Sequence, residues 1–155
     1  MTGHIDRLTL SHVHLLAALH KACFDDPSEP VWDEAAMQDI LSMAGAFGFV
    51  YTEDETPKGF TLCCCAVDEC EILSIGVLPD SRGKGIASEL LQAARQTADR
   101  LAAHSIFLEV AADNNRARDF YKWHNFKDIG VRRNYYKRGQ KRIDAILMSS
   151  EITNK

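Results

Sequence analysis

Apolar positions along the chain change period several times, and each change marks an element. Ile5 to Leu10 alternates as a strand does, and Ser11 then stands where a helix N-cap would. The helix it would cap places Val13, Leu16, Leu19 and Cys23 on one face. A loop from Phe24 to Pro30 carries two prolines, and Asp33 caps a second, short helix through Ala36, Met37, Ile40 and Leu41. Gly45 closes that helix. Strands follow over Ala46–Thr52, Gly59–Val67 and Glu71–Leu78, the first two joined by a polar turn at Asp54–Pro57. The period then returns to 3.6, with Ile86, Leu90, Ala94, Ala98 and Leu101 on one helical face. Ile106–Ala111 is the next strand, and Asn114 caps a helix bearing Ala117, Phe120 and Tyr121. Lys127–Asn134 and Arg142–Ser149 make a closing hairpin with Gly139-Gln140 in its turn. The order βααβββαβαββ implies a mixed sheet with a strand–helix–strand crossover.

Between the third of the consecutive strands and the longest helix lies LSIGVLPDSRGKGIA, residues 73–87. A strand feeding a glycine-rich turn into a helix N-terminus is an anion-binding device. The first helical N–H groups lack internal acceptors and sit at the positive end of the helix dipole. Gly83 and Gly85, without Cβ atoms, let the main chain come close to a phosphate. The stretch is not a P-loop, because Lys84 is followed by Gly85 and Gly76 lies too far upstream. Nor is it a dinucleotide fingerprint, since Ser88 and Glu89 stand where the third glycine belongs.

Composition narrows the class. With 155 residues, 46% hydrophobic and 26% charged, the chain is expected to form one domain, residues 1–155, with a core of its own. It contains no apolar run of the ~20 residues that span a bilayer, and MTGHIDRLTL has no signal-peptide pattern. The expected location is cytoplasmic, away from membranes. Five cysteines then read as reduced thiols; no C-x-x-C pair exists, and adjacent strand residues such as Cys63, Cys64 and Cys65 face opposite ways. No metal is expected. His12, His14 and His20 do not share one helical face and read as surface residues. Charge is uneven: residues 1–115 hold 7 basic and 18 acidic side chains, residues 116–155 hold 11 and 4. A basic C-terminal third suits cofactor phosphates, RNA or an acidic partner. The acidic remainder and the lack of an RNP motif argue against nucleic acid.

Arg82-x-x-Gly85-x-Ala87 after an alternating strand resembles the pyrophosphate loop of the GNAT superfamily of acyl-CoA-dependent N-acyltransferases. Further motifs follow at compatible spacing: Phe107-Leu-Glu-Val110, Asn114-Asn-Arg-Ala117, Phe120-Tyr121, RRNYY at Arg132–Tyr136, and Asp144-Ala-Ile-Leu-Met148. Together they look like the RimI-type branch, which acetylates protein N-termini, over residues 59–150. The resemblance implies an α/β (α+β) GNAT fold, with a mostly antiparallel mixed sheet and helices on both faces. It also implies acetyl-CoA as cosubstrate and direct transfer to an amine. The acceptor would be a peptide or protein N-terminus, a ribosomal protein among them. A lysine, a polyamine or another small amine stays open, as does a non-catalytic acyl-CoA-binding module.

An amine must lose its proton to attack a thioester, and a free α-amine has pKa ~8. A carboxylate nearby takes that proton. Glu109, in the apolar run FLEVAA, matches the family's general base and Tyr121 its general acid; Glu71 is the rival base. By the same resemblance the cofactor would lie along main-chain groups of Ile75, Gly76 and Val77. Its pyrophosphate would rest on backbone N–H groups from Arg82, Gly83, Lys84, Gly85, Ile86 and Ala87. Asn114, Ala117 and Tyr121 would also contact it, and Arg116, Arg118 and Lys122 are within reach of its phosphates. Arg133, Tyr135, Tyr136 and Trp32 would line the acceptor groove. Two departures stand out. Cys64 replaces an arginine frequent in relatives, and His124-Asn125-Phe126 replaces Leu-Gly-Phe, with Asn125 tolerating a left-handed helix end.

Overall fold

The computed structural model describes residues 3–24 and 32–152. The elements are β1 (Gly3–Arg7), α1 (Val13–Cys23), α2 (Glu34–Leu41), β2 (Ala46–Glu53), β3 (Thr56–Ala66) and β4 (Glu69–Val77). After them come α3 (Ile86–Arg100), β5 (Ser105–Ala111), α4 (Asn115–Trp123), β6 (Lys127–Arg138) and β7 (Lys141–Glu151). This is the expected element order. The seven strands form one sheet in the order β1-β2-β3-β4-β5-β7-β6, antiparallel except for β4 beside β5.

Strand alternation divides the core between two sheet faces. Phe60 and Leu62 point toward α1 and α2, packing with Leu16, Leu19 and Met37. Cys63, Cys70, Ile72, Leu108 and Val110 point the other way, against Leu91, Ala94 and Ala98 of α3 and Tyr121 of α4. Each fully buried leucine or phenylalanine contributes about 1.5–3 kcal/mol of transfer free energy. Helices therefore cover both faces, as the resemblance implied.

Local chemistry explains the boundaries. Asp33 caps α2, accepting from the Ala36 N–H at 2.9 Å. The β2–β3 turn is tighter than the expected loop. Asp54 and Glu55 both take positive φ, as a two-residue hairpin turn requires, and Thr56 already belongs to β3. Asn125 adopts φ +69° at the end of α4, the left-handed role expected of it.

Several expectations need correction. β1 ends at Arg7 rather than Leu10, which lies in a 3-10 turn and is exposed. Thr9, not Ser11, caps that turn: its N–H donates to His12 Nδ1 at 2.9 Å, and α1 follows directly. Leu101 falls just past α3 and is 47% exposed, so the buried stripe ends at Ala98. Val67 is a turn residue at φ +57° rather than the end of a strand. The closing strands run on because both ends find partners: Arg138 pairs with Lys141, and Glu151 with Ser105 of β5. The expected proline-containing loop lies, beyond Phe24, outside the described residues. Among the described residues no helix is long and apolar enough to cross a membrane. All five cysteines are free, and Cys64 turns from its neighbours to donate to the Ala44 carbonyl at 3.4 Å.

Candidate active site

The site begins where two strands part. β4 and β5 are in register only from Glu69–Glu71 opposite Ser105–Phe107, although β4 continues to Val77 and β5 to Ala111. Beyond Glu71 the strands diverge, and among the described residues no strand lies beside the β5-facing main-chain edge of β4. Buried backbone groups need hydrogen-bond partners, so an open edge inside a molecule is a natural seat for an extended amide-bearing chain.

Two cavities meet at this wedge. The first, of about 930 Å³, is lined by Ile75, Gly76 and Val77 and by the loop residues Arg82, Gly83, Gly85, Ile86 and Ala87. Asn114, Ala117 and Tyr121 close its far wall. These are the expected cofactor residues, with one exception. Lys84 is exposed and off the wall. Gly83 and Gly85 hold φ +78° and +84°, and a Cβ at either would meet nothing within 4 Å. The loop thus leaves an open concavity of the size glycine permits. Among the described residues no side chain caps α3 at Gly85, so its first-turn N–H groups remain available to an anion. These features fit a pyrophosphate.

Arg82 acts differently from the expectation. Its N–H is turned into the Pro79–Ser81 turn, 3.5 Å from the Pro79 carbonyl. Its guanidinium donates to Val77 O and to Cys23 O, both at 3.1 Å. A cation thereby satisfies a carbonyl at the C-terminus of α1 and ties that helix to the loop. Of the basic residues on α4, Arg116 lines the cavity, whereas Arg118 is spent on Ala112 O and Asp128. Lys122 is not on the wall. Arg138, from the end of β6, does reach the cavity, beside Asp113 at 3.7 Å.

The second cavity, about 670 Å³, brings two carboxylates together. Glu71 and Glu109 alternate with the buried Cys70, Ile72, Leu108 and Val110, so both carboxylates emerge on the face opposite α3. Burial, then the Glu109 charge, push the Glu71 carboxyl up, with Arg132 pulling it back. Glu109 is 17% exposed and pairs through Oε1 with Arg132 Nη2 at 2.8 Å. Trp32, Tyr135 and Tyr136 line the cavity as expected, but Arg133 does not; Arg132 takes that place. β6 is irregular between Arg132 and Tyr136, where Asn134 sits at φ +55°, so simple alternation picks the wrong arginine.

His20 also lines this cavity and corrects its reading as a surface residue. It is 6% exposed, stacked on Trp32 at 4.9 Å and tilted against Phe24 and Phe60, and burial lowers its pKa. Its i+4 spacing from Leu16 was the available signal. Tyr121 borders both cavities, as do Phe24, Ile75, Asn114 and Ala117. The Tyr121 ring packs edge-on to Phe120 and Phe126, and burial drives its hydroxyl pKa up. Asn114 caps α4, accepting from Ala117 N–H at 3.2 Å.

The acetyltransferase (GNAT) family model matches residues 13–126. The chain belongs to the GNAT acetyltransferase family. It is 30% identical to the [ribosomal protein bS18]-alanine N-acetyltransferase of Escherichia coli K12 over 105 residues, 68% of this chain and 71% of that one. It is 36% identical to an N-alpha-acetyltransferase of Sulfurisphaera tokodaii over 87 residues, 56% of this chain and 50% of that one. Its fold matches the crystal structure of the E. coli ribosomal-protein-S18-alanine N-acetyltransferase with TM-score 0.88 at 23% identity, covering 99% and 96% of the two chains. Arabidopsis thaliana NAA60 in complex with acetyl-CoA matches with TM-score 0.82 at 18% identity, covering 99% and 100%. GNAT members are acetyl-CoA-dependent acetyltransferases, and the relatives named bS18-alanine N-acetyltransferase bear out the RimI-like resemblance.

Proposed function

We propose that this GNAT enzyme acetylates a protein N-terminal α-amine, a ribosomal protein being one candidate, and does so in the cytoplasm. The junction of the two cavities at Tyr121 carries the reading. One cavity offers an anion-binding loop and an open strand edge, and the other presents two carboxylates to an amine. The names of the bS18-alanine and N-alpha-acetyltransferase relatives support an α-amine acceptor. Free cysteines suit a reducing compartment.

Acetyl-CoA, once bound, supplies an acetyl group activated as a thioester. Main-chain groups of Ile75 and Val77 hold its pantetheine arm as an added strand would, and N–H groups from Gly83 to Ala87 hold its pyrophosphate. Glu109, its Oε1 fixed by Arg132, takes the amine proton on its other oxygen, directly or through water. Glu71 stands beside it as the second acceptor. Tyr121, kept protonated by burial, donates to the departing sulfur. The carbon–nitrogen bond forms as the carbon–sulfur bond breaks, one proton leaving the amine and one reaching the thiolate. Trp32, Tyr135 and Tyr136 flank the acceptor chain.

Two matched peptides test the acceptor. One has a free N-terminal alanine and no lysine; the other has a blocked N-terminus and one lysine. Acetylation of the first alone is expected. Acetylation of the second alone reassigns the enzyme to lysine. Silence on both, with acetyl-CoA bound, moves the acceptor to a small amine.

A further inference from the structure

The pairing of Arg132 with Glu109 goes beyond proton acceptance, and rests on the acceptor-site reading above. Arg132 and Glu109 are separated by β7, yet their side chains meet. The register shows how. Ala145 of β7 is the partner of both Arg132 on β6 and Ala111 on β5, and it is fully buried. A methyl group at that point lets the arginine arm lie across the sheet and reach the carboxylate two residues along β5. Its guanidinium is then held from two sides, by Glu109 Oε1 at 2.8 Å and by the Tyr135 ring, 4.7 Å below.

Around this pair the described residues supply few charges. Glu71 faces the same cavity, with Cys64 opposite it on β3. His20 is buried among aromatic rings, and that burial lowers its pKa. The remaining titratable groups are the phenols of Tyr121, Tyr135 and Tyr136. Arg132 is the sole cation among the described residues that line the cavity, and it serves two carboxylates. Two carboxylates in one half-buried cleft cannot both ionise cheaply without such a cation.

We propose that Arg132 is a positioning residue for the acceptor site: it fixes Glu109 and holds one positive charge against both carboxylates, so that the incoming amine meets an ordered proton acceptor. The residue acts through the carboxylates and not on the thioester. Removing it leaves Glu109 rotationally free and takes away the charge that pulls the Glu71 carboxyl down. The acidic limb of the rate profile should then move to higher pH.

The test compares wild type, Arg132→Gln and Arg132→Lys by kcat/KM for the acceptor peptide between pH 5.5 and 9. Arg132→Gln should lose activity at the acid end of this range and far less at pH 9, its acidic limb moving up by about one pH unit. KM for acetyl-CoA should not change, and Arg132→Lys should restore part of the lost acid-side activity. In parallel, Glu71 is titrated in the free enzyme by NMR of 13C-labelled glutamate side chains, with Glu71→Gln for assignment. Its apparent pKa should rise in Arg132→Gln. A loss equal at every pH, no loss, or an unmoved Glu71 titration overturns the proposal. If wild type acetylates neither test peptide, the acceptor assignment fails, while the NMR titration still decides the role of Arg132.

Discussion

Replacing Tyr121 by Phe removes one oxygen and leaves the ring. The ring is buried, with Phe120 at 5.2 Å and Phe126 at 5.4 Å, so its packing survives the change. No residue around it has to fill a cavity. Deleting a buried hydroxyl changes folding free energy by no more than about 1 kcal/mol in either direction. Turnover should behave otherwise if the proposed donor role holds, because Tyr121 borders both cavities. Loss of a positioned proton donor costs about 10²-fold or more in kcat, on the order of 2.7 kcal/mol. The sign of its pH dependence also follows. Burial raises the Tyr121 pKa above its ordinary value of ~10, so the hydroxyl keeps its proton throughout an assay from pH 6 to 9. The variant's deficit should therefore be flat with pH. The assay is single-turnover acetylation of the alanine peptide across that range, with thermal unfolding as the control for folding. Full activity in Tyr121→Phe would falsify the donor role. A deficit that grows with pH would show that the tyrosine ionises and is acting as a base.

Other outcomes are equally specific. Glu109→Gln should keep acetyl-CoA affinity by calorimetry and lose turnover by about 10²-fold near pH 7, with partial recovery at alkaline pH where the amine is already neutral. Equal loss at all pH values would assign Glu109 to binding. Gly85→Ala places a side chain at φ +84° and into the open concavity of the loop. It should cost about 1–2 kcal/mol of stability by thermal unfolding and weaken acetyl-CoA binding more than it weakens the fold. Unchanged affinity would remove the loop from the phosphate site. Phe60→Ala empties a fully buried position between sheet and α1, and should destabilise by about 3–5 kcal/mol in urea titrations.

The order of elements and the loop at residues 73–87 are local matters, and the sequence alone determined them; Glu109 and Tyr121 stand out there only through the likeness of their motifs to the family. Periodicity decides strand or helix, and glycine decides where φ can be positive. Caps at Asp33 and Asn114 were legible for the same reason, since a cap acts within three residues. What only the tertiary structure decided depends on which chains lie side by side. The parting of β4 and β5 after Glu71 is a property of two strands and their crossover, so neither strand's residues announce it. Arg132 rather than Arg133 faces the acceptor cavity because β6 is irregular there and Ala145 on its neighbour is small. His20 is buried because Trp32 and Phe60, from other segments, converge on it beside Phe24 at the end of its own helix. A side chain's face is written in its own segment, but its partners are written in the segments that fold against it.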